Sequence, residues 1–180
     1  FIPVLVIMVM LGVRYEHRPF QAGETAVVAS VVSDASWVRG DAVSLIGSDG
    51  VEVISRPLRI PQRFEIDWKI RMLKPGSHTI TLQTPNGDLT KEILVAGDLT
   101  DRVPLEPCAT ARGRVGSSNF LLFPVEPPLP GDSGVKSLAV LDWPKRELNL
   151  YGLSVNWLVF FFIVSMIAGF AIKDKIGVEV

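Results

Sequence analysis

Few side chains in this sequence could do covalent chemistry, and their spacing limits what each could do. Gly131-Asp132-Ser133-Gly134 has the form of a loop that presents a nucleophilic serine. Such a serine needs a histidine base beside it and an acid to orient that base. The chain has two histidines: His17 borders the N-terminal apolar segment and His78 opens a strand pattern, so Ser133 is expected in a turn. Glu65 and Asp67 lie two apart on one face of a strand pattern, the spacing of a carboxylate pair. Arg63, Lys69 and Arg71 share that face, which reads as a solvated, charge-balanced surface. Cys108 is the lone cysteine; it can form no internal disulfide and, with two distant histidines, gives no zinc spacing. Asp98 and Asp101 lack the further acids that a calcium loop needs and are expected to cap or turn the chain. Neither a phosphate-binding glycine loop nor a dinucleotide fingerprint occurs. No catalytic residue, metal or cofactor is expected, and a non-enzyme is the reading. A hydrolase built on Ser133 is the remote alternative.

The elements around these groups show a contrast between ends and middle. Mean hydropathy is +0.33 although 21% of residues are charged, and the net charge is −1. That balance gives no reason to expect nucleic acid. From Leu148 to Ile172 no residue is ionisable. As one helix this run would reach roughly 35 Å, enough for a hydrocarbon core of about 30 Å. Tyr151 and Trp157 near its entry, with Lys173 and Lys175 after it, suit the two membrane interfaces. Residues 148–172 are therefore expected as a C-terminal transmembrane helix, followed by a short tail at 173–180. Residues 1–13, "FIPVLVIMVMLGV", are expected as an N-terminal transmembrane helix cut at its start, because the chain opens on Phe rather than Met.

Between the ends, "RFEIDWKIR" (63–71) alternates Phe64, Ile66, Trp68 and Ile70 with charged residues, the signature of a half-buried strand. Pro75-Gly76 marks a turn into "HTITLQT". Asn86-Gly87 is the preferred centre of a tight hairpin turn leading to "TKEILVA". "DAVSLIG" and "VEVIS" flank Ser48-Asp49-Gly50 as a second hairpin candidate, and "GETAVVASVVS" reads as a first strand. The fold class expected is mainly β with transmembrane α: an antiparallel, immunoglobulin-like β-sandwich between two transmembrane helices, with the sandwich core at 14–97.

"LKPGSHTITL" followed by "LTKEILV" resembles the closing hairpin of small immunoglobulin-like or PEGA-like sandwiches of bacterial envelope proteins. The match covers about residues 70–96. It implies a sandwich and an envelope location but no activity, since such sandwiches host unrelated functions.

Residues 98–147 form a Pro/Gly-rich extension in which "SNFLLFPVE" and "KSLAVLDW" read as edge strands. In the C-terminal run, Ser165, Ala168 and Gly169 give a small-residue face that lets another helix approach closely. Gly12 supplies a possible counterpart, and Asn156 could hydrogen-bond across the contact. Flanking charges (Arg14, Arg18, Lys145 and Arg146 against Lys173 and Lys175) would alone place the domain in the cytoplasm. That rule weakens for domains longer than about 60 residues, and the envelope resemblance places the domain on the periplasmic side of a bacterial inner membrane. The function expected is a non-catalytic accessory subunit of a multi-subunit membrane complex, its partners integral subunits and membrane lipids. The alternative is an extracytoplasmic binding or sensing module using Trp37 or Trp143, with Trp68 assigned to the core.

Overall fold

The computed structural model describes residues 6–7, 17–97, 114–115, 128–145, 147–150 and 152–176. It divides into two units, Phe1–Pro144 and Lys145–Val180.

The first unit is a sandwich of two sheets. One has the strand order β1-β8-β7-β3, comprising β1 (Phe20–Gln21), β8 (Gly87–Ala96), β7 (Gly76–Thr84) and β3 (Ser44–Gly47). The other has the order β4-β6-β2-β10-β9, comprising β4 (Val51–Val53), β6 (Glu65–Met72), β2 (Thr25–Val32), β10 (Val135–Val140) and β9 (Arg114–Val115). A short β5 (Leu58–Ile60) also pairs with β6. Pairing is antiparallel except between β1 and β8, which run parallel over two residues. A five-residue helix, α1 (Ala35–Arg39), starts where the Asp34 carboxylate accepts the Ser36 N–H at 2.8 Å. Such a cap satisfies one orphan donor of the first turn.

The period-two pattern explains the packing. Ile66, Trp68, Ile70 and Met72 of β6 point inward and meet Ile80, Leu82, Ile93 and Val95 of the facing sheet in one buried cluster. Their charged neighbours face outward, as alternation requires. Phe64 departs from the pattern: it ends a 3-10 turn with φ +54° and is 39% exposed, so the strand begins only at Glu65. Pro61 opens that turn, and its fixed φ favours the bend over continued extension.

Two turns also differ from expectation. In the β7–β8 hairpin Thr84 pairs with Gly87, so the turn is centred on Pro85-Asn86, one residue earlier than the Asn86-Gly87 reading. Ser48-Asp49-Gly50 does not close a hairpin, because β3 belongs to one sheet and β4 to the other. It forms a corner where the chain changes sheets. β10 is no rim strand either: it lies between β2 and β9 and sends Leu138 and Val140 into the core.

The chain enters and leaves the sandwich at one place. Arg18 N–H donates to the Pro144 carbonyl at 3.0 Å, and Phe20 packs on Trp143 with ring centroids 4.3 Å apart. The Arg18 guanidinium holds both Glu24 oxygens, at 2.6 and 3.1 Å, and the Gln21 N–H donates to the same carboxylate at 2.8 Å. Burial pushes the Glu24 carboxyl up, but the guanidinium and the N–H outweigh it, and the group lies below the ordinary value of 4.5. A depressed carboxylate contributes stability above its unfolded value, and that contribution is lost as pH falls through the folded value. Glu24→Gln is expected to cost about 1 kcal/mol at pH 7, a bidentate pair discounted for partial exposure. In thermal melts the gap between variant and parent should close as pH falls from 4.5 through the lowered value.

The second unit corrects the expected fold class. β11 (Glu147–Leu150) and β12 (Leu153–Asn156) form an antiparallel hairpin in which Leu150 pairs with Leu153 and Gly152 has φ +88°. The hairpin takes the first third of the charge-free run. Helix α2 (Trp157–Ile176) starts after it. Only Trp157 to Ile172 then remains as charge-free helix, about 24 Å against a hydrocarbon core of about 30 Å. Among the described residues no helix is long and apolar enough to cross a membrane. The C-terminal transmembrane helix of the expected fold is therefore replaced by a hairpin and a shorter apolar helix, and the described residues are mostly β; the expected N-terminal helix lies almost wholly outside the described residues. Of residues 1–13 only Val6 and Ile7 are described, both helical and exposed.

Candidate functional site

Helix α2 is the most unusual surface of this chain. Hydrophobic side chains occupy every direction around it, including Phe161, Phe162, Ile163 and Val164, which are 45–55% exposed. Successive residues of a helix are rotated by about 100°, so these four sample the whole circumference. Further along, Met166, Ile167 and Phe170 are 58–68% exposed. Phe161 and Phe162 meet edge to face at 5.9 Å, a contact within the helix. A helix that is apolar all round belongs in an interior. Full burial of an exposed side chain of this kind gains about 1.5–3 kcal/mol, and these are roughly half exposed, so covering the seven is worth on the order of 5–10 kcal/mol.

The residues assigned to helix packing are divided by this arrangement. Ser165, Ala168 and Gly169 lie together on α2 and are exposed, with open space beside the Gly169 Cα. Asn156 instead ends β12, where its backbone pairs with Glu147. Gly12 lies outside the described residues, as does Tyr151. Trp157 is the first residue of α2, while Lys173 and Lys175 fall in its last turns.

The groups considered for chemistry are held by the sandwich. Ser133 is 5% exposed; its hydroxyl donates to the Val135 carbonyl and accepts the Val135 N–H at 3.3 Å. Trp37 closes over this turn so tightly that a Cβ on Gly134 would lie 2.4 Å from its ring. Asn86 Nδ2 donates to the Asp132 carbonyl at 2.8 Å, joining the turn to the β7–β8 hairpin. His78 contacts the Lys74 carbonyl through Nε2 at 2.8 Å, and its ring lies over Gly50. Asp98, Asp101 and Cys108 lie outside the described residues. Among the described residues no three His, Cys, Asp or Glu side chains gather as a metal site.

The tryptophans proposed for ligand capture are packed. Trp143 stacks on Phe20, and its Nε1–H donates to the Val140 carbonyl at 2.9 Å; both it and Trp37 pack on the core. A cleft of about 270 Å³ is lined by Phe20, Gly23, Glu24, Thr25, Asp142 and Pro144, and neither tryptophan lines it. The Glu24 carboxylate that borders it is already held by Arg18.

One buried cation was not singled out from the sequence. Lys91 lies on the inward side of β8 between Leu89 and Ile93, is 2% exposed and is engaged there. The alternation Leu89, Lys91, Ile93, Val95 carried that signal. Asp67 is less exposed than its charged strand suggested: its Oδ1 is buried without a hydrogen-bond partner. No protein family, curated protein or solved structure matches the chain.

Proposed function

We propose that this chain is a non-catalytic accessory subunit of a multi-subunit membrane-protein complex of bacteria. Its sandwich braces an extramembrane region on the periplasmic side, and α2 lodges among apolar helices of integral subunits, with lipid filling the remaining gaps. The observation that carries this reading is the all-round apolar exposure of α2. Covering a single stripe would not suffice, because Phe161 to Val164 point in all directions. The sandwich supports a bracing role through what its polar groups do: Ser133, Trp37 and Trp143 are committed to turns and packing. The envelope location rests on the resemblance of residues 70–96.

The test is extraction in mild detergent from the native source, followed by sizing and mass spectrometry of what co-migrates. Stoichiometric partners are expected with the parent chain. Replacing Phe161, Phe162, Ile167 and Phe170 together by Ser or Gln should release those partners while the sandwich keeps its melting transition. A parent chain that extracts as a stable, lone monomer would contradict the proposal.

A further inference from the structure

The tip of the β7–β8 hairpin carries a reactive amide. Four asparagines occur in the chain, and only Asn86 precedes a glycine; Asn119, Asn149 and Asn156 precede Phe120, Leu150 and Trp157. Asparagine is among the thermolabile residues, because its side-chain amide can react with the backbone that follows it. The next residue's amide nitrogen attacks Cγ, and a side chain on that residue obstructs the approach. Gly87 has none, its φ is +126°, and a Cβ placed there would meet nothing within 4 Å. Both Asn86 and Gly87 are exposed.

Local bonds fix how this tip is built. Pro85 precedes Asn86, and Thr84 pairs with Gly87 to close the turn. The Thr84 hydroxyl accepts the Asn86 N–H at 3.3 Å and donates to the Gly87 carbonyl at 2.7 Å. The Asn86 side chain reaches out of the hairpin, its Nδ2 donating to the Asp132 carbonyl at 2.8 Å. That bond joins the two sheets: β7 and β8 belong to one, and the turn at 130–134 leads into β10 of the other.

The turn behind this tie is closely bonded. Ser133 N–H donates to the Pro130 carbonyl at 3.1 Å, and Ser33 N–H, just after β2, donates to the Gly134 carbonyl at 2.8 Å. Val135 N–H is served by the Ser133 hydroxyl at 3.3 Å. Gly134 has φ +72° and lies against the Trp37 ring; a Cβ there would also lie 3.2 Å from Asn86 Nδ2. Asn86, Gly134 and Trp37 thus meet at one place in the sandwich.

We propose that Asn86 is a self-modification site, and that its deamidation unlocks the 130–134 turn from the β7–β8 hairpin. Hydroxide removes the Gly87 amide proton, and the nitrogen attacks Asn86 Cγ. The N–Cγ bond forms and the Cγ–Nδ2 bond breaks; the leaving nitrogen takes a proton from water and departs as ammonia. Water then opens the five-membered imide at either carbonyl, leaving aspartate or isoaspartate. Either product puts a carboxylate where the donor was, and a carboxylate only accepts, so it cannot bond the Asp132 carbonyl. The bond to Asp132 restrains the amide while the hairpin is closed, so the folded chain reacts more slowly than the unfolded one. The loosening is one-way, since water does not restore the amide.

Ageing the full chain in mildly alkaline buffer, followed by peptide mapping, tests the chemistry. Asn86 should show the mass change of an amide-to-acid exchange and yield isoaspartate, with Asn149 and Asn156 intact. Asn86→Gln, whose longer side chain would need a larger ring, should stay unmodified. Native-state hydrogen exchange tests the consequence. The amides of Ser33, Ser133 and Val135 should exchange about fivefold faster in the aged fraction and in fresh Asn86→Asp, the effect of one lost hydrogen bond. The amides that pair β4 with β6 should not change. Full retention of the Asn86 amide in the folded chain, under ageing that converts it in urea, would overturn the proposal. Exchange in Asn86→Asp equal to that of the parent at all three amides would overturn it as well.

Discussion

Trp68→Ala is expected to remove a large part of the stability of the sandwich, about 3–5 kcal/mol. Trp68 is 3% exposed at the middle of β6, opposite Val28 of β2 and flanked on its own face by Ile66 and Ile70. Truncating a buried tryptophan costs about 3–5 kcal/mol, from lost transfer energy and the cavity left behind. Domains of this size hold about 5–15 kcal/mol in total. The melting temperature should fall by more than about 12 °C. Trp68→Phe should cost far less, because much of the volume is kept. Thermal melts followed by circular dichroism check both. A change of only a few degrees for Trp68→Ala would mean that the assigned face of β6 is wrong.

Gly47→Ala is expected to be nearly as damaging, by another route. A Cβ at Gly47 would lie 1.8 Å from the Val51 carbonyl oxygen and 2.8 Å from its carbon, both backbone atoms that no side-chain rotation can clear. The corner cannot readily open to make room. Val51 N–H donates to the Ser48 carbonyl, Ser48 N–H to Thr79 in one sheet, and Leu73 N–H to Gly50 beside the other, at 2.7–3.1 Å. Relief would break one or more of these bonds, so about 3 kcal/mol is the expected cost. Gly131→Ala, where a Cβ meets nothing within 4 Å, is the control and should be close to neutral. Urea unfolding of the three proteins should separate them clearly; equal midpoints would refute the corner geometry.

Where the sequence pattern was strict, it led to the fold. Ile66, Trp68 and Ile70 alternate with charges and form the inward face of β6, and the hairpin of residues 76–96 announced itself through Pro75-Gly76 and its β-branched strands. Two features were hidden by competing signals. Ser48-Asp49-Gly50 has turn chemistry that suits a hairpin and a corner equally, and only the pairing of β3 with β7 and β4 with β6 decides between them. In the C-terminal run, absence of charge masked the period-two pattern of Leu148, Leu150, Leu153 and Val155 around Gly152. Hydropathy measures how apolar a stretch is but not whether it is helical, and a hairpin inside the run shortens the helix that follows.

The candidate interaction surface was legible as apolarity but not as exposure. Ser165 and Gly169 read as a packing face in the sequence, whereas the structure shows that the bulky residues around them are equally uncovered. Asp67 was hidden for a different reason. Its residue type and spacing match those of solvated neighbours, and only the pairing with Leu58 of β5 and the burial of its Oδ1 set it apart.

The most direct test of the account is the accessibility of α2 in its native assembly. With Cys108 replaced by serine, single cysteines at Phe161, Phe162, Ile163 and Val164 would sample the helix circumference for a water-soluble maleimide. All four should be protected in the native complex and should react once the chain is separated from its partners in detergent. Ready labelling of any one of them in the intact native material would show a face of α2 left open to water, and the account of a helix enclosed by partner subunits would be wrong.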